Sequence, residues 1–193
     1  MTHPHNVALF CGSRTGANPR FAEAARAFGT GLAQAGQRLV YGGGRVGLMG
    51  IAADAALAAG GAVLGVIPNF LRAPEIAHPG LTTLVVTATM HERKARFYAE
   101  ADIFVGLPGG IGTMDELIEV ITWRALGQHH KPILIANIEG SATAFLAAID
   151  AAVALGFTGP EVRQTFDILP DIETLLSRLA TLPAANSEQI AQL

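Results

Sequence analysis

The chain has 193 residues, 50% of them hydrophobic and 15% charged, with a formal net charge of -3. That length suits one domain over residues 1–193 with a sizeable core, and the acidic balance lacks the basic footprint that a nucleic-acid polymer requires. The longest uncharged apolar run, residues 55–67, is broken by Gly60-Gly61 and ends at Pro68, too short to cross a bilayer.

In chain order, Met1-Thr2-His3-Pro4-His5 lacks the basic flank and apolar stretch of a secretion signal, and Cys11 is the only cysteine, so a cytoplasmic location is expected. Residues 6–11 read as a first strand ending in Cys11, a small core residue. Residues 20–35 read as a helix with Phe21, Ala24, Ala25, Phe28 and Leu32 on one side. A strand over 38–41, an alanine-rich helix over 48–59 and a strand over 62–67 follow. A polar, proline-bearing loop over 68–80 leads to a strand over 81–87 and a helix over 89–100. A buried strand over 101–107 runs into a glycine turn, and a helix starts at the glycines, with Leu117, Ile118, Ile121 and Leu126 at helical spacing. A strand over 132–136, a helix over 142–155 and a short helix over 172–182 complete the chain. Such alternation predicts an α/β fold, a Rossmann-like doubly wound parallel sheet with helices on both faces, whose ligands sit at the carboxyl ends of the strands.

Three strand ends carry polar or glycine-rich turns. The first, Cys11-Gly12-Ser13-Arg14-Thr15-Gly16, reads equally as a pocket wall presenting Ser13 or as a plain connection. In the second, Gly42, Gly44 and Gly47 make a GxGxxG pattern between strand and helix, with Gly43 beside them. A dinucleotide reading also needs an acidic residue about 20 positions on. The next strand instead ends Gly65-Val66-Ile67-Pro68-Asn69, which favours a mononucleotide or sugar phosphate over NAD.

The third turn is Leu107-Pro108-Gly109-Gly110-Ile111-Gly112-Thr113-Met114-Asp115-Glu116. Thr113 and Glu116 fit a capping box that merely satisfies orphan amides. A cap needs at most one glycine, however, and three within four residues let backbone amides at a helix start approach a phosphate. Asp115 and Glu116, placed in the first helical turn, would repel that phosphate unless cations intervene. Arg93 and Lys94 supply them: Met90, Arg93 and Phe97 share one face of their helix, and Lys94 is one of only two lysines. An arginine so placed either snorkels to solvent or has a partner. Glu116, one residue deeper than Asp115, is the better candidate to face the ribose.

Pro108-Gly109-Gly110-x-Gly112-Thr113-x-x-Glu116, with Gly42-Gly43-Gly44-x-x-Gly47-Leu48-Met49-Gly50 before it and Met90-His91-x-Arg93-Lys94 between, resembles the Lonely guy (LOG) family. These are cytokinin riboside 5'-monophosphate phosphoribohydrolases, long labelled possible lysine decarboxylases. The resemblance runs from Cys11-Gly12-Ser13 to about Ala136. It implies a hydrolase, an N-glycosidase that converts a nucleoside 5'-monophosphate such as AMP or isopentenyladenosine monophosphate to free base and ribose 5-phosphate, without metal or organic cofactor. By the resemblance, Arg93 and Glu116 are the catalytic pair. Gly109, Gly110, Ile111, Gly112, Thr113, Met114, Asp115, Arg93 and Lys94 bind substrate. Glu75 matches a further substrate-binding glutamate, and Thr122 lines the pocket. The family is generally at least dimeric, which implies a homodimer or larger homo-oligomer.

The chemistry fits these residue types, since breaking a glycosidic bond develops positive charge on the ribose that a carboxylate at the anomeric carbon stabilises. Arg93 either holds the phosphate or orients Glu116. A carrier of nucleotide or molybdenum cofactor would keep the phosphate site but need no Glu116. A lysine decarboxylase needs a lysine Schiff base with pyridoxal phosphate, and Lys94 is better explained as an anion contact. His129-His130 are adjacent and do not form a facing metal pair; a polar loop before Lys131 is expected. Apolar residues along 117–126, including Trp123, offer a helix face to a second subunit.

Overall fold

The computed structural model describes residues 5–72 and 76–183. Seven strands, β1 (Asn6–Phe10), β2 (Arg38–Tyr41), β3 (Val63–Pro68), β4 (Thr83–Thr87), β5 (Ile103–Gly106), β6 (Ile133–Ala136) and β7 (Asp167–Leu169), form one sheet. The order is β4-β3-β2-β1-β5-β6-β7, and every neighbouring pair is parallel. Chain order therefore reverses at β1, between β2 and β5, which opens a crevice at the carboxyl ends of β1 and β5.

Six helices, α1 (Pro19–Gln34), α2 (Gly47–Ala58), α3 (Met90–Glu100), α4 (Ile111–Ala125), α5 (Thr143–Ala154) and α6 (Ile172–Ala180), cover both sheet faces. Alternation along the strands explains the two layers. Val7, Leu9, Leu39, Ile103 and Val105 pack with α1, α2 and α6, whereas Ala8, Phe10, Val40, Phe104 and Ile135 pack with α3, α4 and α5. Cys11 is buried in the first layer, as expected of a core residue.

The doubly wound sheet agrees with the sequence reading, and most element ends shift by a residue or two. β7 is the strand the reading missed. It has three residues at the sheet edge with Ile168 exposed, too short to show a pattern. Among the described residues, no helix is long and apolar enough to cross a membrane.

Candidate active site

The β1 and β5 turns touch at the switch point. Gly12 donates its amide to Pro108 (3.0 Å), Leu48 donates to the Gly12 carbonyl (3.0 Å), and a Cβ on Gly12 would lie 3.5 Å from the Gly109 Cα. Gly47, with φ +62°, presses on the Ser13 and Arg14 backbone so closely that a Cβ would fall 2.2 Å from the Ser13 carbonyl carbon. Ser13 itself is exposed at the crevice.

Helix α4 starts three residues earlier than the capping-box reading implies, at the glycines. Gly110 is the N-cap and has no side-chain hydrogen bond, and the first intrahelical bond runs from Met114 to the Gly110 carbonyl (3.1 Å). Thr113 thus lies inside the helix, buried, with its hydroxyl packed where a Gly109 Cβ would be, 2.1 Å away. Asp115 and Glu116 move to the second turn. That correction removes the cap reading and eases the expected clash, because the amides of 110–113 have no acidic neighbour in the first turn. Gly109, Gly110, Ile111 and Gly112 are exposed there, and a Cβ on Gly110 or Gly112 would meet nothing within 4 Å.

Glu116 projects inward from α4, its side chain 16% exposed against 60% for Asp115. It opposes Arg93 from α3, whose Nη1 stands 3.9 Å from the Glu116 Oε1. Arg93 does not snorkel. Its Nε donates to the Val66 carbonyl (3.1 Å) in β3, its guanidinium lies 5.3 Å over the Phe97 ring, and its side chain is 13% exposed. Behind Glu116 the packing is tight, with roughly 10 Å³ of free space bounded by Phe10, Phe97, Phe104, Val120 and Trp123. Burial therefore dominates the carboxyl, raising its pKa to about 7 against the lowering effect of Arg93 and Lys94. The same burial lowers the Arg93 guanidinium, opposed by Glu116, and raises the neighbouring Cys11 thiol, which the Glu116 charge raises further.

Several predicted residues stand elsewhere. Lys94 turns to carboxylates, its Nζ 2.8 Å from Asp115 and 3.2 Å from Glu119. Burial alone would lower its pKa, but the hydrogen bonds it donates to both carboxylates raise it. Gly43 and Gly44 are buried beneath residues 76–78: the Gly43 carbonyl accepts from His78 (2.9 Å), Gly44 bridges Ala77, and Arg45 donates to the Ile76 carbonyl (2.8 Å). Met114 is half-buried. Thr122 is exposed and six residues along α4 from Glu116, about 9 Å of helix rise. Glu75 lies outside the described residues. His129 is buried rather than in a polar loop: Nε2 meets the Val120 carbonyl (2.9 Å), and the ring packs edge-on to Tyr98 and Phe104. Trp123 also packs inward, edge-on to Tyr98 at 4.9 Å, so the exposed apolar stripe of α4 is Ile111, Ile118 and Leu126.

Two features of the site escaped the sequence reading, the contact of Gly42 with Arg93 and the part played by Glu119. Gly42 seats Arg93, since a Cβ there would come within 2.4 Å of Nη2. Glu119 shares Lys94 with Asp115, and its i, i+4 spacing from Asp115 was the available signal. A depression of about 550 Å³ between α1 and α2 is lined by Arg26, Thr30, Ile51 and Asp54 and by none of the predicted residues.

The chain matches a family model described as "Possible lysine decarboxylase" over residues 49–179. It is 43% identical to a cytokinin riboside 5'-monophosphate phosphoribohydrolase of Rhodococcoides fascians, across 91% of this chain and 89% of that one. An enzyme of the same name from Arabidopsis thaliana is also 43% identical, across 90% and 80%. In architecture the chain is similar to the molybdenum cofactor binding protein of Rippkaea orientalis, with a TM-score of 0.70, 18% identity and coverage of 94% and 98%, which concerns the fold alone. With the family model covering most of the chain and such relatives matched nearly end to end, the chain belongs to the LOG family, the one whose model bears the lysine decarboxylase description.

Proposed function

We propose that this protein is a nucleoside 5'-monophosphate phosphoribohydrolase, a single-domain enzyme that hydrolyses the N-glycosidic bond of AMP or an N6-modified analogue. The observation that carries this reading is the opposition of buried Glu116 and Arg93 beside an exposed, glycine-built helix start. The amides of 110–113 suit the 5'-phosphate of a mononucleotide, with the macrodipole of α4 behind them. Held there, the nucleotide presents its anomeric carbon towards Glu116, and the phosphate serves as a handle that positions the reacting bond. As the C–N bond breaks, the base leaves with the bonding pair and acquires, by way of Glu116 and solvent, the proton that the attacking water gives up. The Glu116 carboxylate stabilises the cationic ribose and takes a proton from the water whose hydroxide adds to the anomeric carbon. Arg93 favours the carboxylate form against the burial that opposes it and lies within reach of the substrate.

The names of the relatives support the substrate class. A carrier of the same fold would use the cradle but give Glu116 no task. The exposed stripe of Ile111, Ile118 and Leu126 supports a homo-oligomer, and the single buried cysteine is compatible with a reducing cytoplasm. Incubation with AMP, isopentenyladenosine monophosphate and the matching nucleosides tests the assignment. Free base from the monophosphates and little from the nucleosides is expected; intact nucleotides throughout reject it.

A further inference from the structure

The α3–α4 seam holds more charge than a simple catalytic pair requires. Asp115, Glu116 and Glu119 lie within little more than one turn of α4, and on a helix Glu116 and Glu119, three apart, are surface neighbours whose like charges repel. Arg93 alone cannot balance three carboxylates. Lys94, the next residue of α3, reaches across the seam to Asp115 at 2.8 Å and Glu119 at 3.2 Å, with its side chain 20% exposed. An ammonium has three donors, and two are committed here. A phosphate recruiting Lys94 would have to displace both carboxylates and leave them unpaired beside Glu116.

We propose that Lys94 is a positioning residue for Glu116 and not a phosphate ligand: it clamps the two flanking carboxylates, so that Glu116 answers chiefly to Arg93. This rests on the reading of Glu116 as the reacting carboxylate. The groups facing Glu116 are Arg93 and Lys94 from α3, Asp115 and Glu119 from α4, and the Cys11 thiol at the end of β1, which burial keeps protonated. Loss of Lys94 removes one favourable charge and exposes two unfavourable ones, so Glu116 would ionise only at higher pH.

The test compares wild type, Lys94→Met and Glu119→Gln by carboxyl 13C NMR, with Glu116 assigned by its loss in Glu116→Gln, alongside kcat/KM for AMP against pH. In Lys94→Met both the Glu116 titration and the rising limb of kcat/KM move up by about one pH unit, while KM on the high-pH plateau stays within about twofold of wild type. In Glu119→Gln, which keeps the clamp's cation, both move down. AMP's own phosphate ionisation is common to all three proteins and cancels. A tenfold or larger rise in plateau KM with an unmoved titration makes Lys94 a phosphate ligand and overturns the proposal. An unmoved titration in Glu119→Gln overturns it even if Lys94→Met does not fold. Because the NMR readout needs no turnover, shifted titrations in a protein that releases no base would uphold the clamp and reject the reaction.

Discussion

Arg93 and Glu116 face each other at 3.9 Å, each side chain less than one fifth exposed. That separation exceeds a direct hydrogen bond, so the pair attracts without tying up the carboxylate oxygens. Burial outweighs the attraction and leaves Glu116 near pKa 7. Since the carboxylate form is the one that can take a proton from water, kcat/KM for AMP should rise through about pH 7 and level off above it. A profile flat from pH 6 to 8 would show that no such ionisation limits the reaction.

Glu116→Gln keeps the size and hydrogen-bonding capacity of the side chain but removes its ability to take a proton. Base release should fall by about 10³-fold, with AMP affinity by calorimetry changed only a few fold. Turnover near the wild-type rate would strip Glu116 of its assigned role.

Gly42 offers a more indirect test of the same pair. Its φ is not positive, so alanine is tolerated by the backbone, but the new Cβ would be 2.4 Å from the Arg93 Nη2 and 3.1 Å from the Met49 sulfur. Arg93 is the movable partner. Gly42→Ala should lower kcat/KM by about 10–100-fold through displacement of the guanidinium. Combined with Arg93→Ala it should add almost nothing, because both changes remove one arrangement. Additive losses would mean that Gly42 acts elsewhere.

These two residues also mark how far the sequence could be read. Strands buried on both faces, such as 103–106, and turn glycines announced the fold and the crevice, because those signals are local. The glycines marked the start of α4 correctly, but Gly110 has no side chain with which to declare a cap, while Thr113 and Glu116 mimic one, so the cap itself could not be placed from the sequence. Gly43 and Gly44 looked like a ligand cradle, yet their backbone groups are taken up by residues 76–78, a pairing more than thirty positions distant. The Gly42–Arg93 contact and the burial of His129 likewise depend on which elements meet, and no spacing within one segment reveals that.

The cradle can be tested without disturbing the packing. Gly110 is the N-cap of α4 in an extended conformation, and a side chain there meets nothing within 4 Å. Aspartate is a favoured N-cap, so Gly110→Asp should stabilise the fold by about a few tenths of a kcal/mol. The same carboxylate would occupy the amides meant for phosphate and repel it, raising KM for AMP by about tenfold or more. Gly110→Ala, neutral and small, should leave KM within about threefold. Unchanged KM in the aspartate variant would place the phosphate elsewhere.

His129 governs acid stability rather than chemistry. Its Nδ1 accepts the Lys131 amide (3.1 Å), which puts the ring proton on Nε2, facing the Val120 carbonyl. Protonation would aim a second N–H at the Lys131 amide, and burial first, then nearby cations, lower the imidazole pKa to about 4 from the usual 6.5. The unfolded chain therefore takes up a proton that the folded one refuses, and stability from this group, full above pH 6.5, is lost as pH falls towards 4. Glu116 works in the opposite sense, since the folded carboxyl is protonated near pH 7 and the unfolded one only near 4.5. Acidification across that window thus favours the fold at Glu116 and flattens the overall profile. A difference measurement isolates the histidine. His129→Gln, which keeps a donor for Val120, should be less stable than wild type to urea at pH 7. The gap should narrow by about 2 kcal/mol at pH 4.5 as the wild type loses its contribution and the variant has none to lose. A gap that stays constant between those two pH values would mean that the folded His129 titrates normally, and that its burial carries no proton-linked cost.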